Sequence, residues 1–286
     1  SISNKVEKNY KIYKIKKHNG KYRNIYEPNP ILKQIQKNIL VNILNNRSIS
    51  KYAKAYHKGF QLKDNAIPHV NKKMILKLDI KDFFENISFL DICNSCFPIE
   101  YFPKSVGMLL TYLCTYNNHL TQGSPTSAYI SNLVMKEFDE ELGKWCSLNN
   151  ISYTRYSDDM TFSGNFNPSD LIIKVRKMLY KLDLELNDNK IHIVHQSSNQ
   201  NVTGIVVNEK VQVSRKYRDK IRQEIYYIKK YGLGSHLKKS NIASDELKYL
   251  NKLYGKILYV LQVNPNDKEN VEYKCFVETL KRQFKE

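Results

Sequence analysis

The sequence predicts an α+β fold, and three observations carry that prediction. A basic two-stranded hairpin opens the chain, short apolar strands alternate with amphipathic helices through the middle, and helical periods alone remain from Ser214 onward. At 286 residues the chain can hold two or three subdomains around a sizeable core.

Taken in order, Tyr10 to Ile15 and Tyr22 to Tyr26 read as strands around a turn at His18-Asn19-Gly20, closed by Pro28 and Pro30. Ile31 to Leu44 has a helical period at Ile31, Leu32, Ile35, Ile39, Leu40 and Ile43. Ser48 to Asp64 is polar and aromatic without a period, and Asn65 to Asn71 is a short polar stretch. Met74 to Ile80 alternates as a strand, with Leu76, Leu78 and Ile80 on one side and Lys77 and Asp79 on the other. Ser105 to Tyr116 reads as helix. Ser124 is placed to cap a following helix with Pro125 at its first position, and Ile130, Val134, Phe138 and Leu142 recur every four residues.

Ile151 to Gly164 reads as a hairpin turning near Asp158-Asp159, and Pro168 to Leu182 as a helix. Ile191 to Val194 and Val202 to Val207 read as strands. Tyr217, Ile221, Ile225 and Ile228 mark a first helix of the closing region. Leu247, Leu250, Tyr254, Leu258 and Leu261 mark a second, and Tyr273, Val277, Leu280 and Phe284 a third.

Lys and Arg number 46 against 28 Asp and Glu, a formal charge of +18 spread along the chain, which points to a polyanionic partner. Twenty-one tyrosines and eleven phenylalanines add stacking surfaces for bases, so nucleic acid is the first candidate. No basic amphipathic helix suggests a membrane anchor, no apolar window is long enough to span a bilayer, and the first eight residues carry no signal-peptide core. Five cysteines fit a reduced, cytoplasmic protein better than a disulfide framework. Cys93-X-X-Cys96 has no second pair, His192 and His195 form no ligand set, and no Walker loop is present.

The chemical signal is carboxylate where strands should be apolar. Asp79 lies inside a strand, and Asp158 and Asp159 repel each other in a turn. Alone, the Asp-Asp pair reads as a solvated turn. With Asp79 beside it, the trio can hold two Mg²⁺ ions about 3.5–4 Å apart, bridging a hydroxyl nucleophile and a triphosphate.

Tyr156-Ser157-Asp158-Asp159 resembles the Tyr-X-Asp-Asp box of reverse transcriptases, and it does not stand alone. Leu78 to Phe84 resembles the first palm motif, with Asp79 as its metal ligand. Gln122-Gly123-Ser124-Pro125 resembles the Gln-Gly-Ser-Pro motif, Lys21-Tyr22-Arg23 the fingers entry, and Leu186-Asn187 followed by Lys190 the later palm motif. Asn65-Ala66-Ile67-Pro68-His69 and Val202-Thr203-Gly204 resemble two signatures of the retron branch of that family.

The resemblance implies a right-hand polymerase with fingers, a palm of antiparallel sheet backed by helices, and a helical thumb. Fingers are expected over 1–73, continuing around 93–121, palm over 74–92 and 122–213, and thumb over 214–286. It implies RNA-directed DNA synthesis with Asp79, Asp158 and Asp159 as catalytic metal ligands for two Mg²⁺, with Mn²⁺ a substitute. It implies a nucleotide pocket of Lys17 (or Lys16), Arg23, Asp82, Phe83, Phe84, Gln122, Gly123 and Lys190. Arg23 would grip the triphosphate bidentately, and either Phe84 is the sugar gate that excludes a ribose 2′-OH or it is a core residue like Phe83.

Asn65 and His69 would serve RNA contacts or the local fold. Tyr156, Val202, Thr203 and Gly204 are further expected RNA contacts. In the thumb, Arg215, Arg218 and Arg222 share a helical face that would meet RNA phosphates. The implied partners are dNTPs, a cognate structured non-coding RNA serving as template and primer, its branched DNA product, and a separate effector protein in antiphage defence. Open beside this are another defence or group II intron-like enzyme, and a catalytically silent RNA-binding fold.

Overall fold

A computed structural model of the chain describes residues 6–16, 20, 22–240 and 245–284. Lys17, Lys21 and the His18-Asn19 part of the expected turn lie outside the described residues. In chain order the elements are β1 (Tyr10–Lys16), β2 (Tyr22–Pro28), α1 (Pro30–Asn42), α2 (Leu62–Ala66), β3 (Met74–Asp79), α3 (Phe83–Asn86), α4 (Phe89–Cys96) and α5 (Lys104–Cys114). Then come α6 (Ser127–Val134), α7 (Lys136–Leu148), β4 (Ser152–Tyr156), β5 (Asp159–Gly164), α8 (Pro168–Tyr180) and β6 (His192–His195). The rest is β7 (Asn201–Val202), β8 (Ile205–Val206), β9 (Gln212–Val213), α9 (Arg215–Tyr231), α10 (Leu233–Lys239), α11 (Glu246–Val263) and α12 (Lys268–Arg282).

The elements form two compact units. The first comprises residues 1–61 and 72–195. Its centre is an antiparallel sheet ordered β4-β5-β3-β6. Leu76, Leu78 and Ile80 join Phe138, Leu142, Met160, Phe162, Val175 and Leu179 in a continuous core, so helices α6 to α8 back the sheet. Strand β3 departs from the simple alternation expected of it. Ile75 is fully buried and Asp79 only 4% exposed, so both of its faces are shielded and the strand reads as central.

Two helix boundaries differ from expectation for identifiable reasons. Ser124 does not cap the helix after it. Its hydroxyl donates to Gln36 Oε1 at 2.9 Å, while buried Gln36 donates to Tyr10 Oη and to the Leu113 carbonyl, and the helix begins at Ser127. The four-residue period from Ile130 to Leu142 spans two helices, α6 and α7, divided at Met135, whose ψ near 0° interrupts the regular turn.

The second unit comprises residues 62–71 and 196–286. It gathers the Asn65–His69 signature, the small β7-β8-β9 sheet and all the closing helices. The expected single strand over Val202 to Val207 is a hairpin. Thr203 (φ 48°) and Gly204 (φ 82°) both take positive φ, the combination a tight two-residue turn requires, and β7 pairs with β8 across it. Helix α10, between the first and second expected closing helices, is too short and too polar to leave a period. Ser214, Asp245 and Asp267 cap α9, α11 and α12 by accepting main-chain N–H bonds.

Candidate active site

Strand pairing assembles the carboxylates. Asp79 at the end of β3 lies directly opposite Asp159 at the start of β5. Asp158 belongs to the tight β4–β5 turn, and its carbonyl accepts the Ile80 N–H at 3.0 Å. Ser157, which precedes it, takes a left-handed conformation (φ 62°) that costs a non-glycine residue about 1–2 kcal/mol. The segment following α8 closes the other side. Leu186 bridges to Ile80, and the Asn187 N–H donates to the Asp79 carbonyl at 2.8 Å.

That segment supplies the buried Asp79 carboxylate with two hydrogen-bond donors. Lys190 Nζ donates to Oδ2 at 2.6 Å and Asn187 Nδ2 to Oδ1 at 3.3 Å. Burial opposes the Lys190 charge, but the bond to Asp79 outweighs it and the ammonium pKa is raised. Loss of solvation raises the Asp158 pKa, and the charge of Asp79 adds to it. Asp159 is raised to about 6, by desolvation and then by the charges of Asp158 and Asp79. Three carboxylates thus gather at the strand end, with Lys190 bonded to Asp79 and Lys77 acting on Asp159.

A cleft of about 690 Å³ opens over this point. Asp79, Asp158 and Lys190 line its floor, and Arg23, Asp82, Phe83, Phe84, Gln122 and Gly123 also border it. Asp159 is exposed but outside the lining. Asp82 sits in the left-handed region (φ 44°) at the start of α3. Phe84 is half-buried and faces the cleft, whereas Phe83 is 3% exposed and packs in the core with its ring edge-on to Phe84. Gly123 is held against β2. The Gln122 carbonyl accepts the Tyr26 N–H at 2.8 Å, and a Cβ on Gly123 would lie 2.6 Å from the Tyr26 carbonyl oxygen. The close approach expected of this glycine is thus made by protein backbone.

Among the described residues no group of three or more His, Cys, Asp or Glu side chains is already arranged to hold a metal ion. The donors nonetheless suit a hard divalent cation. Asp79 and Asp158 offer oxygen ligands at an open cleft, and an ammonium already sits on Asp79.

The expected RNA-contact residues separate into two groups. Asn65, His69 and Val202 are at most 1% exposed, a burial that leaves Asn65 and His69 with the local-fold alternative and speaks against the direct RNA contact expected of Val202. The two signatures meet within one unit, with Asn65 Nδ2 3.5 Å from Thr203 Oγ1. Gly204 is exposed at the hairpin tip, and Tyr156 is half-buried at the end of β4. On α9, Arg215 is open to solvent, while Arg218 donates to the Val213 carbonyl at 3.3 Å. Arg222 is committed elsewhere. It forks onto both oxygens of Glu269 at 2.6 and 2.8 Å and also meets Asp219, a partnership that helical periodicity could not reveal.

Two contributors escaped the sequence reading. Tyr56 lines the cleft, and its hydroxyl lies 3.2 Å from Ser157 Oγ. Arg155 is wholly buried below the Asp158 turn and paired with Asp139. Its strand, Ser152–Tyr156, is polar and aromatic, so an arginine there carried no signal that it would be buried.

A family model described as reverse transcriptase (RNA-dependent DNA polymerase) matches residues 15–207. The retron Ec83 reverse transcriptase of Escherichia coli is 32% identical over 95% of this chain and 88% of its own length. The retron Ec86 reverse transcriptase of Escherichia coli is 31% identical over 77% of this chain and 70% of its own. In fold, the chain resembles telomerase from Candida albicans, solved with a fragment of telomeric RNA. The TM-score is 0.50 at 12% identity, covering 92% of this chain and 60% of that one.

Proposed function

This chain belongs to the retron-type reverse transcriptases, RNA-directed DNA polymerases of right-hand fold, and from that premise we propose the following activity. It copies a cognate structured non-coding RNA into branched, multicopy single-stranded DNA, primed from a 2′-OH of that RNA, as part of antiphage defence with a separate effector protein. The observation that carries the catalytic part is the meeting of Asp79, Asp158 and Asp159 at one strand end beneath a cleft.

In each cycle a primer hydroxyl oxygen bonds to the α-phosphorus of a dNTP, the α–β anhydride breaks, pyrophosphate leaves and the hydroxyl proton is lost. Asp79 and Asp158, with Asp159 behind them, would hold Mg²⁺ (or Mn²⁺), which when bound activates the hydroxyl and steadies the departing phosphates. Arg23 offers the triphosphate a bidentate grip, and the Gln122–Gly123 loop shapes the wall beside it. The Phe84 ring closes the space a ribose 2′-OH would need. Lys190 starts on Asp79 and is within the cleft to meet the leaving phosphates. Residues 1–73 and 93–121 act as fingers, 74–92 and 122–213 as palm, and 214–286 as a thumb that grips RNA.

Asp158→Asn or Asp79→Asn should abolish DNA synthesis while leaving RNA affinity within about threefold, since a ligand is lost but no phosphate-binding cation. Synthesis at wild-type rate by either variant would remove these residues from the reaction. Sequencing the DNA made on co-purifying RNA tests the retron reading. A branched product at one guanosine of a structured RNA supports it, and unbranched DNA of arbitrary template overturns it.

A further inference from the structure

We infer that Arg155 is a positioning residue for DNA synthesis: anchored on Asp139, its guanidinium fixes the Ser157–Asp158 turn and so holds the Asp158 carboxylate beside Asp79. The inference rests on the proposed role of Asp158 and adds a residue that does not itself reach the cleft.

Arg155 and Asp139 are both fully buried. Nε of Arg155 donates to both Asp139 oxygens at 2.9 and 3.2 Å, and Nη2 to Asp139 Oδ2 at 2.6 Å and to Asn132 Oδ1 at 3.2 Å. Asp139 also accepts the Tyr153 hydroxyl at 2.7 Å, which fastens α7 to β4. A pair serving only to join helix and sheet would be complete at this point. Nη1 instead turns to the Ser157 carbonyl at 2.9 Å.

That carbonyl belongs to the peptide unit joining Ser157 to Asp158. The next carbonyl, that of Asp158, is held by the Ile80 N–H at 3.0 Å, one residue from Asp79. The peptide units on both sides of Asp158 are therefore pinned, one by Arg155 and one by the strand that carries Asp79. Ser157, just before the first of these units, keeps a left-handed φ of 62°, a conformation that persists only where its surroundings over-determine it. The strand backbone of Arg155 is fixed as well, through bonds from its N–H to the Tyr52 carbonyl and to its carbonyl from the Lys54 N–H.

The test separates positioning from stability. Buried ion pairs replaced by apolar residues of similar volume commonly fold as well or better. The variant Tyr153→Phe/Arg155→Met/Asp139→Leu removes the pair as a unit and should therefore stay folded, with melting lowered only by the Asn132 Oδ1 and the Ser157 carbonyl left without a donor. It should keep dNTP KM and template–primer Kd within about threefold, yet lose about 100-fold in kcat, the cost of an ångström-scale misplacement. Mn²⁺ titrated into the nucleotide-free variant and read by electron paramagnetic resonance should bind about tenfold more weakly, because one ligand has drifted. Arg155→Lys carries the same test independently of the triple change, since its point charge can face Asp139 but cannot fork onto the Ser157 carbonyl. It should show the same split between kcat and KM. A kcat and Mn²⁺ affinity within about threefold of wild type in either folded variant overturns the inference. That outcome, with Asp158→Asn inactive, leaves the role of Asp158 standing, whereas an active Asp158→Asn removes the premise itself.

Discussion

Gly123→Ala should damage both stability and nucleotide use, and the size of the damage can be worked from the contacts. The added methyl would sit 2.6 Å from the Tyr26 carbonyl oxygen and 3.1 Å from Ile25 Cγ2. A carbon and a carbonyl oxygen rest at about 3.3 Å or more, so the loop must retreat by roughly 0.7 Å. The obstacle is main chain and cannot rotate away. Gly123 also holds φ at +118°, which side chains rarely adopt and which costs about 1–3 kcal/mol. Retreat loosens the 2.8 Å bond from the Tyr26 N–H to the Gln122 carbonyl, for about 1 kcal/mol more. The sum of about 3 kcal/mol lowers melting of a unit this size by about 6–12 °C. At the cleft, the displaced wall should lower kcat/KM for dNTP by about 10- to 100-fold. Thermal denaturation and dNTP titration on a fixed template–primer measure the two effects. Gly255→Ala is the internal control, since nothing lies within 4 Å of its added methyl and helix α11 should gain about 0.5–1 kcal/mol. Wild-type melting and wild-type kcat/KM for Gly123→Ala would refute the reasoning.

Phe84→Ala or Phe84→Val should admit ribonucleotides, measured as the rNTP to dNTP ratio of kcat/KM, and unchanged discrimination would return Phe84 to the core alongside Phe83. The Arg222–Glu269 fork predicts an acid limb in stability. Glu269, held down to about 2 chiefly by its hydrogen bond to Arg222, contributes stability that is complete above its ordinary value and fades as pH falls toward 2. Both side chains are partly exposed, so Glu269→Gln should cost only about 1 kcal/mol at neutral pH and flatten the decline between about pH 5 and 2, read by denaturant midpoints across pH. Neutralising Arg215 and Arg218 together should weaken RNA binding and lower the slope of log affinity on log salt by about 2, whereas Arg222→Gln should leave that slope near wild type.

The meeting of the three carboxylates at one strand end was legible because these residues violate local expectation. A carboxylate in an apolar strand costs stability unless something uses it, so Asp79 and the Asp158-Asp159 pair stood out before any fold was known. The helical ends were legible for the opposite reason, as Ile221, Ile225 and Ile228 obey their period and are buried as it requires. What escaped depends on partners far along the chain. Nothing near Arg222 announces its Glu269 partner, and nothing near Ser124 announces Gln36, so a capping serine was a reasonable local reading that a tertiary bond displaced. The Thr203-Gly204 turn was hidden by the brevity of its flanking strands, two residues each, too short to show an alternation. For Asn65 and His69 the polar stretch around them left RNA contact and local fold equally open. Their burial comes from segments that follow more than a hundred residues later.

The discontinuity of the second unit has a consequence for how the chain is made and cut. Residues 62–71 reach their partners through the Asn71 N–H on the Val207 carbonyl, Gln196 Nε2 on Asn71 Oδ1, and Asn65 near Thr203. Those partners leave the ribosome only after roughly 120 intervening residues, a wait of about 6–24 s at ordinary elongation rates. Through that interval Asn65, Ala66 and His69 have no finished interior to enter, so the first unit must gather around a loop still awaiting its destination. The same wiring sets where the chain can be divided. A fragment starting at residue 196 carries every closing helix but lacks a piece of its own wall, and supplying 62–71 as a separate peptide should restore what proteolytic trimming there would remove.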